Sequence, residues 1–160
     1  MAARTEKTVT LKPGEGRSYW TQGGLYTVKA GVDDTGGALT VMEMTLPVGG
    51  GPPPHTHESD ETVYVVEGRL RYHVGDEVVE AGPGSFLHIP AGGWERPEPL
   101  ETTKIICVYQ PGGFEEFFAE MGEPAATNEL PPTPASPPDF ERMAEVGARY
   151  GLQVRPMPED

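Results

Sequence analysis

The sequence predicts an all-β sandwich or barrel that ends in two short helices. Three observations carry the prediction. Short runs rich in Val, Ile, Thr and aromatic residues recur from residue 8 to about 110, separated by Gly, Pro and Asp. Gly and Pro number 21 and 18 among 160 residues, so turns are abundant. After Pro111-Gly112-Gly113 the apolar spacing changes from two to three and four, the helical period.

The expected strands are residues 8–11, 18–20, 25–30, 38–46, 62–67, 69–74, 77–80, 85–89 and 103–109. In 38–46 the even positions Ala38, Met42, Met44 and Leu46 oppose Leu39, Val41, Glu43 and Thr45, and the even face points to the core. Gly75-Asp76 reads as a tight hairpin turn, because Gly tolerates positive φ there. Phe114, Phe117, Phe118 and Met121 form the apolar stripe of a short helix, which Gly122 and Pro124 stop. Residues 123–138 are rich in Pro and Ala and should wrap the surface without regular structure. A second helix follows over 138–150, with Phe140, Met143, Ala144, Gly147 and Tyr150 as its apolar stripe and Gly151 just past its end. Residues 156–160 should fray. Residues 1–112 thus make the β unit, and 113–160 add helices and a wrapping segment to the same domain.

Lys and Arg total 12 against 25 Asp and Glu, a formal net charge of -13. That balance argues against nucleic-acid and anionic-membrane partners, which attract basic patches, and favours a small-molecule ligand. Cys107 is the single cysteine, so no internal disulfide forms, and its apolar run reads as strand core. The N-terminal residues 1–7 lack the apolar centre of a signal peptide, and no stretch reaches the length of a membrane span. A cytoplasmic location is expected.

The chemistry concentrates in Gly49–Gly68, where a stiff Gly/Pro loop leads through His55, His57 and Glu61 into an apolar strand. The three residues share parity. If the chain stays extended from 55 to 61, their side chains converge on one face and make a candidate metal site. The alternative is two solvated loop histidines, with Glu61 as an edge-strand charge. Glu58, Ser59 and Asp60 read as rim residues. His88, two before Pro90 in a strand, either lines the interior near metal or substrate or is simply packed and hydrogen-bonded. His73 reads as a hairpin residue. Trp94, Phe86, Tyr64, Met42 and Met44 read as core, the inward ones shaping an apolar pocket. No Gly-x-Ser-x-Gly elbow, phosphate loop or Cys/His nucleophile pair is present.

Read with its spacing, the stretch is Gly49, five residues, His55, one, His57, three, Glu61, six, Gly68. That resembles the first signature motif of the cupins without a gap. The second cupin motif is Gly, five residues, Pro, one, Gly, two, His. Gly84, Pro90 and Gly92 match it, and Glu95 stands where the histidine is expected. Residues 109–118 also resemble the tail of small bacterial cupins related to quercetin 2,3-dioxygenase. The resemblance implies a jelly-roll β-barrel of two antiparallel sheets around one divalent metal, held by His55, His57 and Glu61. Glu95 has three readings: a fourth ligand, an acid or base beside a three-ligand metal, or the mark of a lost site. With two carboxylates the donor set favours iron or manganese, with nickel and zinc also possible.

Three functions fit the sequence. The first is a metal-dependent dioxygenase acting on a flavonol-like or other hydroxylated aromatic, with Glu61 or Glu95 taking the substrate hydroxyl proton. The second is a non-oxidative cupin enzyme, a polyketide-type cyclase, isomerase or decarboxylase, in which Glu95 or His88 moves a proton. The third is a non-catalytic cupin that binds a small ligand. A homodimer is expected, since cupins often pair and edge strands need cover.

Overall fold

Alternating strands assemble here into two facing antiparallel sheets. The computed structural model describes residues 8–134 and 136–159. One sheet takes β1 (Arg17–Thr21), β2 (Gly24–Ala30), β3 (Thr40–Leu46), β5 (Asp60–Glu67), β8 (Phe86–Ile89), β10 (Thr103–Gln110) and β11 (Glu123–Pro124). Its order is β11-β1-β2-β3-β10-β5-β8. The second takes β4 (His55–Thr56), β6 (Leu70–Val74), β7 (Glu77–Ala81), β9 (Glu95–Pro99) and β12 (Gln153–Val154), in the order β12-β4-β9-β6-β7. This is the two-sheet, jelly-roll type of architecture that the sequence predicts. The helices are a single turn, α1 (Val32–Thr35), then α2 (Glu115–Met121) and α3 (Phe140–Ala148). Residues 1–7, read above as lacking a leader's apolar centre, lie outside the described residues, as does Asp160 at the end expected to fray.

The core lies between the sheets and follows strand parity. Thr40, Met42, Met44 and Leu46 of β3 are buried, the even face as expected, and Val63, Val65, Ile105 and Cys107 join them from β5 and β10. Leu70 and Tyr72 of β6 face them from the other sheet. Each large side chain so buried contributes about 1.5–3 kcal/mol. Truncating a fully buried one such as Met42 to Ala would cost about 2–5 kcal/mol.

The C-terminal segment does more than wrap the surface. It adds β11 beside β1 and β12 beside β4, one strand to each sheet. The α2 stripe packs as predicted, with Phe118 stacked on Tyr26 at 4.7 Å between ring centroids. Glu115 of α2 is buried as well. Its Oε1 accepts the Val32 N–H at 2.6 Å, and its Oε2 accepts the Gly113 N–H at 3.1 Å and the Thr40 hydroxyl. That carboxylate ties α1, β3 and α2 together. Asp139 caps α3 by accepting the Arg142 N–H at 2.9 Å. Met143, Val146 and Gly147 form the buried α3 face. Gly147 is needed because a Cβ there would meet the Leu152 side chain at 2.8 Å.

Several expectations change. Residues 8–11 are exposed and irregular rather than a strand. Tyr64 and Phe86 are 49% and 65% exposed, because they sit on the outward parity of β5 and β8 and not in the core. Phe140 is likewise half-exposed, and Val146 takes its place in the α3 stripe. His73 is a hairpin residue as expected, in β6 opposite Val78 of β7, with its Nε2 against Glu98 Oε2 at 2.5 Å. Strand β9 was not among the expected strands, and Glu95-Arg96-Pro97-Glu98-Pro99 carries two prolines, which are rare inside a sheet. The Leu100 N–H donates to Arg69 O, so even-numbered amides point toward β6. The Pro97 and Pro99 nitrogens therefore face the side where β4 is only two residues long, and their missing donors cost little. Among the described residues no helix is long and apolar enough to cross a membrane.

Candidate metal centre

Three prolines, Pro52-Pro53-Pro54, stiffen the approach to β4 and deliver His55 pointing inward. The chain does not stay extended to 61. It bends at Glu58-Ser59, so His55 belongs to the five-stranded sheet and Glu61, on β5, to the seven-stranded one. The convergence expected from parity is reached from both sheets at once. Glu95 opens β9 directly opposite His55. All four side chains are buried, and each offers one ligand atom within 4.8 Å of the others.

Both imidazoles are oriented by backbone. The Nδ1–H of His55 donates to Pro53 O at 2.9 Å, and that of His57 donates to Ser59 O at 2.7 Å. A carbonyl only accepts, which fixes the tautomer and turns each Nε2 into the centre. There His57 Nε2 lies 2.9 Å from Glu61 Oε2, and Glu95 Oε1 lies 3.2 Å from His55 Nε2 and 3.4 Å from His57 Nε2. These two Glu95 contacts are within ion-pair distance, yet neither Glu95 oxygen has a hydrogen-bond partner. A buried carboxylate with no donor is costly. A cation among these four ligands would satisfy it.

The electrostatics point the same way. Burial pushes Glu61 up to about 7, helped by the nearby Glu95 charge. Burial opposes charge on Glu95 too, but Glu61, His55 and His57 outweigh it and hold that carboxyl below its usual range. Burial likewise works against charge on His57, and Glu61 and Glu95 overcome it, pushing the imidazole up to about 10. His55 rises against its burial for the same reason, with Glu95 the main partner. Without a cation, protons on the histidines balance the two carboxylates. A divalent ion would replace those protons.

Four predicted residues therefore meet and form a group that could hold a metal ion. His88 does not join them. It is exposed on the outer face, with its Nδ1 3.1 Å from Thr62 Oγ1, because inward parity on β8 belongs to Ile89. Tyr72 was not singled out in the sequence, yet its hydroxyl donates to Glu61 Oε1 at 3.4 Å. Its even spacing from Leu70 marks it as inward. Tyr109 and Phe114 flank the His57 ring at 5.4 and 5.3 Å. A cavity of about 30 Å³ opens from His55, Glu61 and Tyr72 toward Met44, Ile105 and Phe117.

A family model for the cupin domain matches residues 42–109. Quercetin 2,3-dioxygenase of Bacillus subtilis (strain 168) is 33% identical over 116 residues, which are 71% of this chain and 34% of that enzyme. The chain thus spans about a third of that relative's length. The structure of KdgF from Halomonas sp. superposes with a TM-score of 0.60 at 19% identity, covering 68% of this chain and 99% of that one. An RmlC-like cupin from Shewanella frigidimarina NCIMB 400 gives 0.59 at 15% identity, covering 68% and 96%. Pac13 of Streptomyces, a nucleoside dehydratase, gives 0.58 at 18% identity, covering 79% and 100%. At these identities the solved structures speak for the fold alone. The cupin-domain match over residues 42–109 and the 33% identity over 71% of this chain, together with the complete first motif, place this chain in the cupin superfamily.

Proposed function

We propose that the chain is a metal-dependent cupin enzyme that adds dioxygen to a hydroxylated aromatic of the flavonol type. One observation carries the metal assignment: the buried Glu95 carboxylate, without a hydrogen-bond partner, faces two imidazole nitrogens already oriented by backbone carbonyls. The 33% identity to a quercetin dioxygenase supports the substrate class. His55, His57, Glu61 and Glu95 would hold the ion. Two neutral imidazoles and two carboxylates cancel a divalent charge, and the oxygen donors favour iron or manganese, with nickel and zinc as alternatives.

The bound metal would supply a Lewis acid for the substrate oxygens and an electron path to dioxygen. The chain's own residues do the rest. The histidine Nδ1–H groups are committed to carbonyls, so Glu61 or Glu95 is the acceptor for the substrate hydroxyl proton. The Tyr72 hydroxyl steadies Glu61, while Phe114, Phe117 and Ile105 give the cavity an apolar wall. Glu95 in place of the second motif's histidine favours a second reading, the non-oxidative cyclase, isomerase or decarboxylase.

Elemental analysis of untagged protein, followed by oxygen-electrode measurements with a flavonol panel, tests both. About one metal per chain and oxygen consumption matched to substrate loss is the expected result. Turnover without oxygen uptake would move the assignment to the second reading. A protein that takes up no metal would sink both and leave a ligand-binding module.

A further inference from the structure

The β1–β2 hairpin turns through Gln22 and Gly23, with Thr21 opposite Gly24. Both turn residues have positive φ, 52° and 73°. Asn or Gly ordinarily fills the first position of such a turn, because other side chains crowd their own backbone there. Among the described residues Gln22 is the single non-glycine with positive φ. A strained residue that persists directs attention to its side chain.

That side chain enters the interior. Its Oε1 accepts the Tyr26 hydroxyl at 3.2 Å, while its Nε2 meets only Met143 Sδ, at 3.6 Å. A thioether is a weak acceptor, so the amide retains N–H groups for a better one. Gln22 also stands in the wall between two cavities. The inner one, at the metal centre, is about 30 Å³, room for roughly two waters. The outer one is about 460 Å³ and lies among the Gly49–Pro53 loop, Pro97, Pro99, Phe140 and Met143. Gln22, Pro52 and Pro97 line both. The proline rings are fixed by their backbone, whereas Gln22 has three free side-chain torsions.

We propose that Gln22 is the specificity-determining residue at the throat between the outer groove and the metal centre. Its amide swings from Met143 and Tyr26 to bond a carbonyl or hydroxyl of a flat, elongated substrate, whose far ring rests in the proline-lined groove. The substrate class rests on the function proposed above; the throat itself does not.

The test compares wild type with Gln22→Gly and Gln22→Asn, each loaded with Fe(II) under argon. Three quantities are measured: the melting temperature, the affinity for a flavonol, and the rate at which 1,10-phenanthroline, a flat three-ring chelator, removes the iron. Gln22→Gly should melt close to wild type, because the turn strain released offsets the acceptor lost by the Tyr26 hydroxyl. It should bind the flavonol about three- to ten-fold more weakly, by the loss of one hydrogen bond. It should also lose iron to phenanthroline at least ten-fold faster, with the loss to bulky, charged EDTA unchanged. Gln22→Asn, which keeps an amide and suits the turn, should recover part of the flavonol affinity. An unchanged phenanthroline rate in Gln22→Gly overturns the throat, as does a lower melting temperature with unaltered flavonol affinity. If wild type binds no flavonol but the phenanthroline rate still changes, the substrate class fails and the throat stands. A wild type that holds no iron overturns both.

Discussion

Replacing Glu95 with glutamine changes one charge and almost no volume, which isolates the fourth side chain of the centre. In the native site its Oε1 lies 3.2 and 3.4 Å from two imidazole nitrogens, and both oxygens lack hydrogen-bond donors. If the carboxylate ligates, Glu95→Gln removes a charged partner of a buried cation. Breaking such a pair typically costs about 3–5 kcal/mol. At 1.4 kcal/mol for each factor of ten, metal affinity should fall roughly a hundred- to a few-thousand-fold. The amide can donate to an imidazole nitrogen, so the variant should keep a β-rich circular-dichroism spectrum. Affinity is read by competition with a coloured chelator, and stoichiometry by elemental analysis, with His57→Ala as the reference for a lost ligand. A variant that holds metal within three-fold of wild type would refute the ligand role and make Glu95 an acid or base beside a three-ligand centre.

Other outcomes follow from the same geometry. Below about pH 10 His57 carries a proton in the metal-free protein, and Glu61 carries one below about 7, so both compete with the ion. Metal affinity should therefore rise with pH between 6 and 10, with protons released on binding in weakly buffered solution; a flat profile would contradict this. Glu115→Ala leaves the Val32 amide and the Thr40 hydroxyl without their acceptor, while the Gly113 amide keeps Thr40 Oγ1 at 3.0 Å. At about 1–3 kcal/mol for each of these two orphaned donors, it should destabilise by roughly 2 kcal/mol or more in urea unfolding, and a loss below 1 kcal/mol would show that water replaces the carboxylate. We also propose that two copies pair over the outer face of β5 and the edge strand β8, where exposed Tyr64 and Phe86 lie directly opposite each other. Light scattering should show a dimer that the double change Tyr64→Asp, Phe86→Asp converts to monomer, and a monomeric wild type would end that proposal.

Much of the barrel was legible because strand parity is a local property. The alternation in β3, the apolar stripe of α2 and the motif from Gly49 to Gly68 each lie within a few residues of chain. Parity misled where its assumption failed, as at the bend after His57, and where burial depends on which sheet face is covered, as for Tyr64, Phe86 and His88. Prolines hid β9, whose tolerance for them depends on how far its neighbour β4 extends.

By itself the sequence determined that the chain is all-β, that even positions of β3 face inward, and that His55, His57 and Glu61 are the candidate ligands. Tertiary structure alone decided that Glu95 lies opposite His55, that Glu115 locks α1 to β3, and that Gln22 reaches Met143. The last two contacts join residues 83 and 121 positions apart. Periodicity tells which way a side chain points, but what it meets depends on the register and packing of strands distant in sequence.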